Sequence, residues 1–564
     1  MKKKLPYGQS DFHQIRLENK AYVDKTDYLR VLENYSEPFL FFLRPRRFGK
    51  SLWLSVMDYY YAKDHASIFE TLFSGLAIQK NPTALRHQFY VLQFDCSGVD
   101  TQGTNEDLLE SFKIKVQKHL KEFVDRYHLP FNVPNRGKPA DILSGFFGEL
   151  KPHLKDHKIY FLIDEYDHFT NELLSFDPSR FKDIVTGTGF VRKFYEVIKE
   201  ATKDSTVSRF FATGVSPVTL DSLTSGFNIA ANKSRHELLN EMMGFTEDEV
   251  VNLVRLVDSS VDIDKLYPKL RAYYNGYLFS EQAEKRVFNS DMLLYYLSEL
   301  ELTGKEPRNL IDDNIASDYG KIAKLTQLGN REENIRGIKA ILEGQYPTLV
   351  LTTQFSLEKP FTQGDFLSLM FYMGFLTIRE NILSTTVLDI PNYVIRELYW
   401  DYFTALTQEV ENVSLDTTNL HHGINSLALT GDIIPFIKVI EKTLGILSNR
   451  DFQRFDEKYI KMLMIGYLVF GRVYYVKSEP ELGQRYADIV LLKRAGVPAI
   501  YEAIIEIKYL KKEDETEAKI QKKCDEGRIQ IAQYSQSEEF RGKETLKKIV
   551  LVFVGPVCTR VEVF

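Results

Sequence analysis

The chain has 564 residues, 44% of them hydrophobic and 27% charged, a mix that predicts about three globular domains and excludes a disordered or fibrous protein. Its formal net charge of −6 neither demands nor forbids nucleic acid, which would have to meet a local basic patch. No stretch approaches the roughly 20 uncharged apolar residues of a membrane span, the basic start Met1-Lys-Lys-Lys-Leu-Pro6 lacks the apolar core of a secretory signal, and Cys96, Cys524 and Cys558 are too scattered for a disulfide framework or zinc site. A reducing cytoplasm and no membrane partner are therefore expected.

Taken in order, Tyr22–Leu32 reads as a helix capped by Asp24 or Thr26. Phe39–Leu43 is an apolar run that reads as a strand buried on both faces. It breaks at Arg44-Pro45, since proline cannot extend a ladder, and the loop closes on Gly49-Lys50-Ser51 before a helix opening at Leu52. Strand, basic loop and helix N-terminus are the parts that hold a nucleotide triphosphate. The nucleotide would lie along Arg44, Arg46, Arg47, Phe48, Gly49, Lys50, Ser51 and Leu52, with Lys50 on the β/γ oxygens and the Ser51 hydroxyl on Mg²⁺. Arg44 stands where the pattern G-x-x-x-x-G-K-S has its first glycine, and a lone Gly-Lys-Ser is more often an ordinary helix start.

Phe89–Phe94 reads as a second strand, followed by helical periodicity at Leu108–Phe123 and Ile142–Leu154. Lys158–Asp167 is again an apolar strand ending in acids. A phosphate loop needs a carboxylate at the tip of a neighbouring strand for the Mg²⁺ shell, here Asp164, and Glu165 beside it can orient or deprotonate the attacking water. Acids that merely cap a following helix are the plain alternative, but both stretches in this order favour an ATP site. A helix near Phe190–Ala201 and a strand at Ser208–Pro217 follow. Thr213, at that strand's end, would contact the γ-phosphate or the water, or serve only as a turn former. Strands alternating with helices imply an α/β fold with a parallel sheet and its ligand beyond the carboxyl ends.

From about Ser234 the texture turns helical. Thr246 and Glu249 form a capping-box pattern, and Asn275-Gly276 reads as a helix end. Phe361–Ile378 with Ser384–Leu388 has the outline of a winged-helix-like module. His421-His422 lacks a third ligand at metal spacing and reads as surface.

The last region carries its own constellation. Tyr486–Leu492 and Ala499–Tyr509 read as strands around a turn at Ala495–Pro498, and a hairpin centred near Val497 sets Asp488 opposite Glu506. Alternation puts Glu506 and Lys508 on one face. Two carboxylates can hold Mg²⁺ against a phosphodiester while Lys508 orients the water. A helix at Phe455–Leu468 places Glu457 near the same ion. A helix at Lys519–Tyr534 offers Gln530, Gln533 and Tyr534, with Lys522, Lys523 and Arg528 for phosphates. A solvated ion-pair ladder is the plain reading; against it, Val490, Ile504, Ile505 and Ile507 make the hairpin central, where charge is costly without a partner.

Tyr22-Val-Asp-Lys-Thr26, Arg44-Pro-Arg-Arg-Phe-Gly-Lys-Ser51, Ile163-Asp-Glu-Tyr-Asp167 and Thr213-Gly-Val215 resemble the bacterial AAA-ATPase-like family, in which this arginine-rich loop is usual. Met243-Gly-Phe-Thr246, Tyr274-Asn-Gly-Tyr277 and Gly374-Phe-Leu-Thr-Ile378 resemble its helical middle. Ser478-Glu479, Gly483, Asp488 and Glu506-Ile-Lys508 resemble the PD-(D/E)XK nuclease-like domain that ends such proteins. The resemblance implies an ATPase-like region at 1–233, a helical middle at 234–430 and a restriction-endonuclease-like α/β region at 431–564. It implies Lys50 and Ser51 for phosphate and Mg²⁺, Asp164 and Glu165 for metal and water, and Glu457, Asp488, Glu506 and Lys508 for the nuclease site. The expected function is an ATP-hydrolysing switch controlling a Mg²⁺-dependent nuclease acting on DNA, and a homo-oligomer is compatible with it. The rival is an ATP-driven signalling or scaffold protein whose nuclease fold only binds.

Overall fold

Strands that lose water on both faces must be covered by helices, and the N-terminal sheet obeys that rule. The computed structural model describes residues 3–219, 227–258, 260–312, 319–355, 360–411, 415–446, 456–478, 487–494, 496–536 and 540–564. They fall into two compact units, Met1–Leu302 with Gly320–Ile395, and Thr303–Tyr319 with Arg396–Phe564.

In the first unit, β1 (Phe39–Leu43), β2 (Phe89–Asp95), β3 (Lys158–Asp164), β4 (Val207–Gly214) and β5 (Ala231–Asn232) form a five-stranded sheet in the order β2-β3-β4-β1-β5. Every pairing in it is parallel. Phe94 of β2 stacks on Phe161 of β3 and meets Phe194 of the Phe190–Lys203 helix, which in turn meets Phe112 of the Asn105–Arg126 helix. These rings fasten helices to the sheet. The expected neighbour relation needs correction: β4 lies between β1 and β3, so the Asp164 strand does not adjoin the phosphate-loop strand. Two further helices, His168–Phe176 and Pro178–Val185, separate β3 from the Phe190–Lys203 helix. Asp177 caps the second of them, with its side chain accepting from the Arg180 N–H.

Thr26 does not cap the Asp27–Glu33 helix with its side chain. Its hydroxyl donates instead to Asp24 Oδ1 at 2.7 Å, while Asp24 Oδ2 accepts from the Ala77 N–H at 2.7 Å. The Thr246–Glu249 capping box is present, and the Ile263–Tyr274 helix stops at Asn275 before Gly276. The helix Gln363–Tyr372 leads into a hairpin of β7 (Thr377–Ile382) and β8 (Thr385–Asp389), joined by β6 (Thr348–Leu349) in a sheet ordered β6-β8-β7.

The second unit holds a five-stranded sheet, β13-β12-β11-β10-β9, built from β9 (Tyr474–Ser478), β10 (Ile489–Lys493), β11 (Glu502–Leu510), β12 (Leu546–Val554) and β13 (Val557–Val563). β11 and β12 run parallel and the other pairs antiparallel. Val490, Ile504, Val550 and Val552 join Cys524 and Ile531 of the Glu517–Tyr534 helix in one core cluster. β10 begins at Ile489, leaving Asp488 just outside the strand; Tyr486, Ala495, Phe455, Glu479 and Gly483 lie outside the described residues. Ile489 pairs with Ile505, the register that sets Asp488 opposite Glu506. His421 and His422 are exposed on the Thr417–Thr430 helix. Among the described residues no helix is long and apolar enough to cross a membrane.

Gly276 sits at φ 115°, and an added Cβ would stand 1.9 Å from the Pro391 carbonyl oxygen. Gly276→Ala should therefore cost on the order of 3 kcal/mol through combined backbone strain and clash, seen as a lowered denaturant midpoint with an unchanged slope.

Candidate functional site

At the carboxyl edge of the first sheet, β1 hands over to a loop that is fastened from behind. The Arg44 side chain is buried, with its guanidinium over the rings of Phe42 and Phe279, each 4.2 Å away. It donates to the carbonyls of Leu43, Ser234 and Leu239. Phe48 is buried edge-on against Tyr277 and Phe279. Arg47, at φ 67°, donates to Asp291 Oδ2 at 2.6 Å, while its carbonyl accepts from the Ser290 hydroxyl and the Asp291 N–H. Gly49, at φ 87°, is the N-cap of the Lys50–Tyr61 helix.

Lys50 is buried with its Nζ donating to the Pro45 carbonyl at 3.0 Å. Burial lowers its pKa, opposed by the charges of Glu165, Asp164 and Asp167. Asp164 is pushed up to about 6 by burial, although the Ser51 hydroxyl hydrogen-bonds to it and Lys50 attracts its charged form. Glu165 occupies the left-handed region at φ 47° and pairs with His168 Nδ1 at 2.7 Å. That partner holds Glu165 down at about 2, and the same contact raises His168. Asp167 is buried and accepts from the N–H groups of Val215 and Ser216 and from Asn171. Gly214 is required beside it, since an added Cβ would lie 2.2 Å from Asp167 Oδ1. The β3–β4 register, Ile163 opposite Ala212, carries Asp164 opposite Thr213, whose hydroxyl is buried without a hydrogen-bond partner.

In the second unit, Glu506 is buried in β11 and accepts from Lys508 Nζ at 2.7 Å through Oε1, while its Oε2 is buried with no partner. Asp488 Oδ2 accepts from the Ile507 N–H at 2.9 Å, and Lys461 Nζ stands 3.7 Å from Asp488 Oδ1. Burial raises the Glu506 pKa well above the usual carboxylate range, and Asp488 adds to that. Burial works against the charge on Lys508, but Glu506, Glu457 and Asp488 outweigh it and keep Lys508 above the ordinary lysine value. Glu457, on the first turn of the Glu457–Phe470 helix, is raised by burial and feels Lys508, Asp488, Lys523 and Lys461.

Residues 6–224 match the family model described as a predicted AAA-ATPase, and residues 455–563 match that of the PD-(D/E)XK nuclease superfamily. The chain combines an AAA-ATPase-like domain with a PD-(D/E)XK nuclease superfamily domain. It is also 30% identical over 302 residues to an uncharacterized protein in the vnfD 5' region of Azotobacter chroococcum mcd 1. That similarity takes in 52% of this chain and 52% of the relative, so the chain spans about half the length of the curated relative it matches.

In the AAA-ATPase-like domain, Lys50, Ser51, Asp164 and Glu165 come together, with Arg46 close enough to act on the charges of Lys50, Glu165 and His168. Arg44 and Phe48 depart from the expected nucleotide set: both side chains are packed into the protein, because the loop needs anchoring behind it. Arg47 is occupied with Asp291. His168 and the buried Asp167 were not anticipated as site residues; a histidine three positions beyond the glutamate, opening a helix, was the available signal. Ser51 and Asp164 are adjacent hard oxygen donors of the kind Mg²⁺ takes.

In the nuclease-superfamily domain, Asp488, Glu506 and Lys508 converge as expected. Glu457 does not complete a three-carboxylate set, since among the described residues no three His, Cys, Asp or Glu side chains are placed to hold a metal ion. The unpartnered Glu506 Oε2 still fits a divalent cation, which would draw its remaining ligands from backbone, water and substrate. On the Glu517–Tyr534 helix, Tyr534 is buried, Gln530 Oε1 is buried without a partner, and Gln533 and Lys522 are exposed. Lys523 pairs with Glu526 and Arg528 with Glu562. Lys461 was not anticipated; a single lysine inside an otherwise apolar helical run, one turn beyond Glu457, was its signal.

The Glu165–His168 pair fixes a pH window. Glu165 lies below its ordinary 4.5, so its contribution is present above 4.5 and lost as pH falls through about 2. His168 lies above its ordinary 6.5, so its contribution is present below 6.5 and lost as pH rises through the raised value. Both act together between 4.5 and 6.5. In ring-proton NMR titrations, Glu165→Gln should bring the His168 pKa below 6.5, because only burial would then remain as the main influence.

Proposed function

We propose that the N-terminal domain binds and hydrolyses ATP with Mg²⁺, and that its nucleotide state governs a Mg²⁺-dependent cleavage of DNA by the C-terminal domain. The observation that carries the second half is Glu506 Oε2, a buried carboxylate oxygen without a partner beside Asp488 and Lys508. A polar atom left unsatisfied in a core is expensive unless function supplies its partner.

In this reading the backbone amides from Gly49 onward, with Lys50 and Arg46, take the phosphates. Ser51 and Asp164 would hold the cation, and Glu165 would orient the attacking water once free of His168. Thr213 supplies its buried hydroxyl to the γ-phosphate or that water. In the nuclease centre Asp488 and Glu506 would hold a divalent cation, which would supply a lowered water pKa and charge to offset the phosphate. Lys508 orients the water. Exposed Lys522 and Gln533 are suited to the DNA backbone. Coupling is supported by the Ser290–Thr303 helix: its first residues bind the carbonyl of Arg47 in the phosphate loop, and the chain beyond it runs into the segment Thr303–Tyr319 of the second unit.

Lys50→Ala should abolish ATP turnover, by about 10²-fold or more for a lost phosphate contact, with the melting temperature nearly unchanged. Unaltered turnover would remove the ATPase assignment. Glu506→Ala should eliminate Mg²⁺- or Mn²⁺-dependent nicking of plasmid DNA and leave ATP turnover intact. A wild-type chain that never cuts plasmid or linear DNA with either ion, with or without ATP, refutes the nuclease assignment. The missing third carboxylate favours a second reading, an ATP-driven scaffold whose nuclease fold only binds; that version predicts no Glu506-dependent Mn²⁺ binding.

A further inference from the structure

Lys461 is the charged residue that the nuclease reading leaves without a role. It lies in the Glu457–Phe470 helix, whose next residues, Met462 to Val469, are all buried, and it is itself only 8% exposed. Placing an ammonium in such a helix costs several kcal/mol unless charge answers it. Two groups answer it: Asp488 Oδ1 at 3.7 Å, and Glu457, one helical turn before Lys461, which feels Lys461 as it feels Lys508 and Lys523.

Asp488 is thereby held at both oxygens, Oδ2 by the Ile507 N–H and Oδ1 facing Lys461. Glu506 is held at Oε1 by Lys508 and open at Oε2. Asp488, Glu506 and Glu457 face Lys508 and Lys461, with Lys523 also acting on Glu457, so the three carboxylates are answered by as many ammonium groups. One divalent ion leaves the centre positive. A second would have to enter an already positive, poorly solvated space, where like charges a few ångströms apart repel strongly.

Resting on the nuclease reading, we propose that Lys461 is a positioning residue that orients Asp488 and occupies the electrostatic place of a second metal, so that the centre takes a single divalent ion. It touches neither water nor phosphodiester in this role; it acts through Asp488.

The test is calorimetric titration of the full-length, nucleotide-free chain with Mn²⁺, with Glu506→Ala as the reference that removes the centre. Wild type should take one Glu506-dependent ion. Lys461→Met, similar in volume and compatible with its apolar helix, should bind that ion roughly tenfold tighter, because a fixed positive charge is gone, while plasmid cleavage falls as Asp488 loses its orientation. Lys461→Arg should restore wild-type affinity. Should Lys461→Met not fold, Lys461→Gln carries the same comparison. A merely structural ion pair would lower the melting temperature without tightening Mn²⁺, and that result overturns the inference, as would two Glu506-dependent ions in wild type. No Glu506-dependent Mn²⁺ binding at all overturns the nuclease reading and this inference with it, a distinct signature.

Discussion

A carboxylate carried out of water at the tip of a buried strand must find positive charge or take up a proton, and both ends of this chain are built around that constraint. Asp164 closes β3 and rises to about 6 on burial. Glu506 sits within β11 and is raised for the same reason. Each has a lysine within its electrostatic reach, Lys50 and Lys508. Neither network is closed, since the Thr213 hydroxyl beside the first and Glu506 Oε2 in the second remain without partners. Unpartnered buried polar atoms also occur elsewhere, at Trp53 Nε1 and His87 Nε2 for example. What sets these two apart is that each stands beside a buried acid and a lysine, where an incoming cation or phosphate has a use for it.

The phosphate loop explains its own departure from the usual glycine pattern. A glycine at position 44 would leave the first half of the loop without a side chain to fasten it. Arg44 instead reaches behind the sheet to the carbonyls of Ser234 and Leu239 and lies between two aromatic rings. Phe48 and Arg47 fasten the loop's other half to Tyr277, Phe279 and Asp291. A loop held at so many points loses little further entropy when a ligand settles on it, which favours tight binding. It also means that any ligand-driven shift in the loop is felt by the 277–291 segment without an intermediary.

Much of this was readable from residues alone, for reasons that are physical. The apolar runs of β1, β3, β10 and β11 declare buried strands, and the period of two fixes the register that sets Asp488 opposite Glu506. The order of strands was not readable, because a parallel sheet records its neighbours only in long-range packing; hence β4 enters between β1 and β3. Side-chain direction was also hidden. Arg44 looks like a phosphate ligand in a list of loop residues and is a core residue in space. Glu457 lies near the nuclease centre but not within a metal's ligand shell. β12 was not legible although Ile549–Val554 is wholly apolar, since a short apolar run by itself fits a buried helix segment as well as a strand. Lys461 was missed for the opposite reason: one lysine within an apolar helix reads as an imperfection until Asp488 is found facing it.

The two glutamates of the proposed centres are kept in opposite conditions. Glu165 is held below its ordinary pKa by His168 and strained into a left-handed backbone, so it is charged but already engaged. Glu506 is raised by burial and neighbouring Asp488, so its charged form is unfavourable until more positive charge is present. The first can act once a contact is broken, which is a conformational requirement. The second can act once a cation is added, which is a compositional one. If nucleotide state governs DNA cleavage as proposed, this difference keeps the two controls separate: Glu165 waits on a broken contact with His168, whereas Glu506 waits on added positive charge.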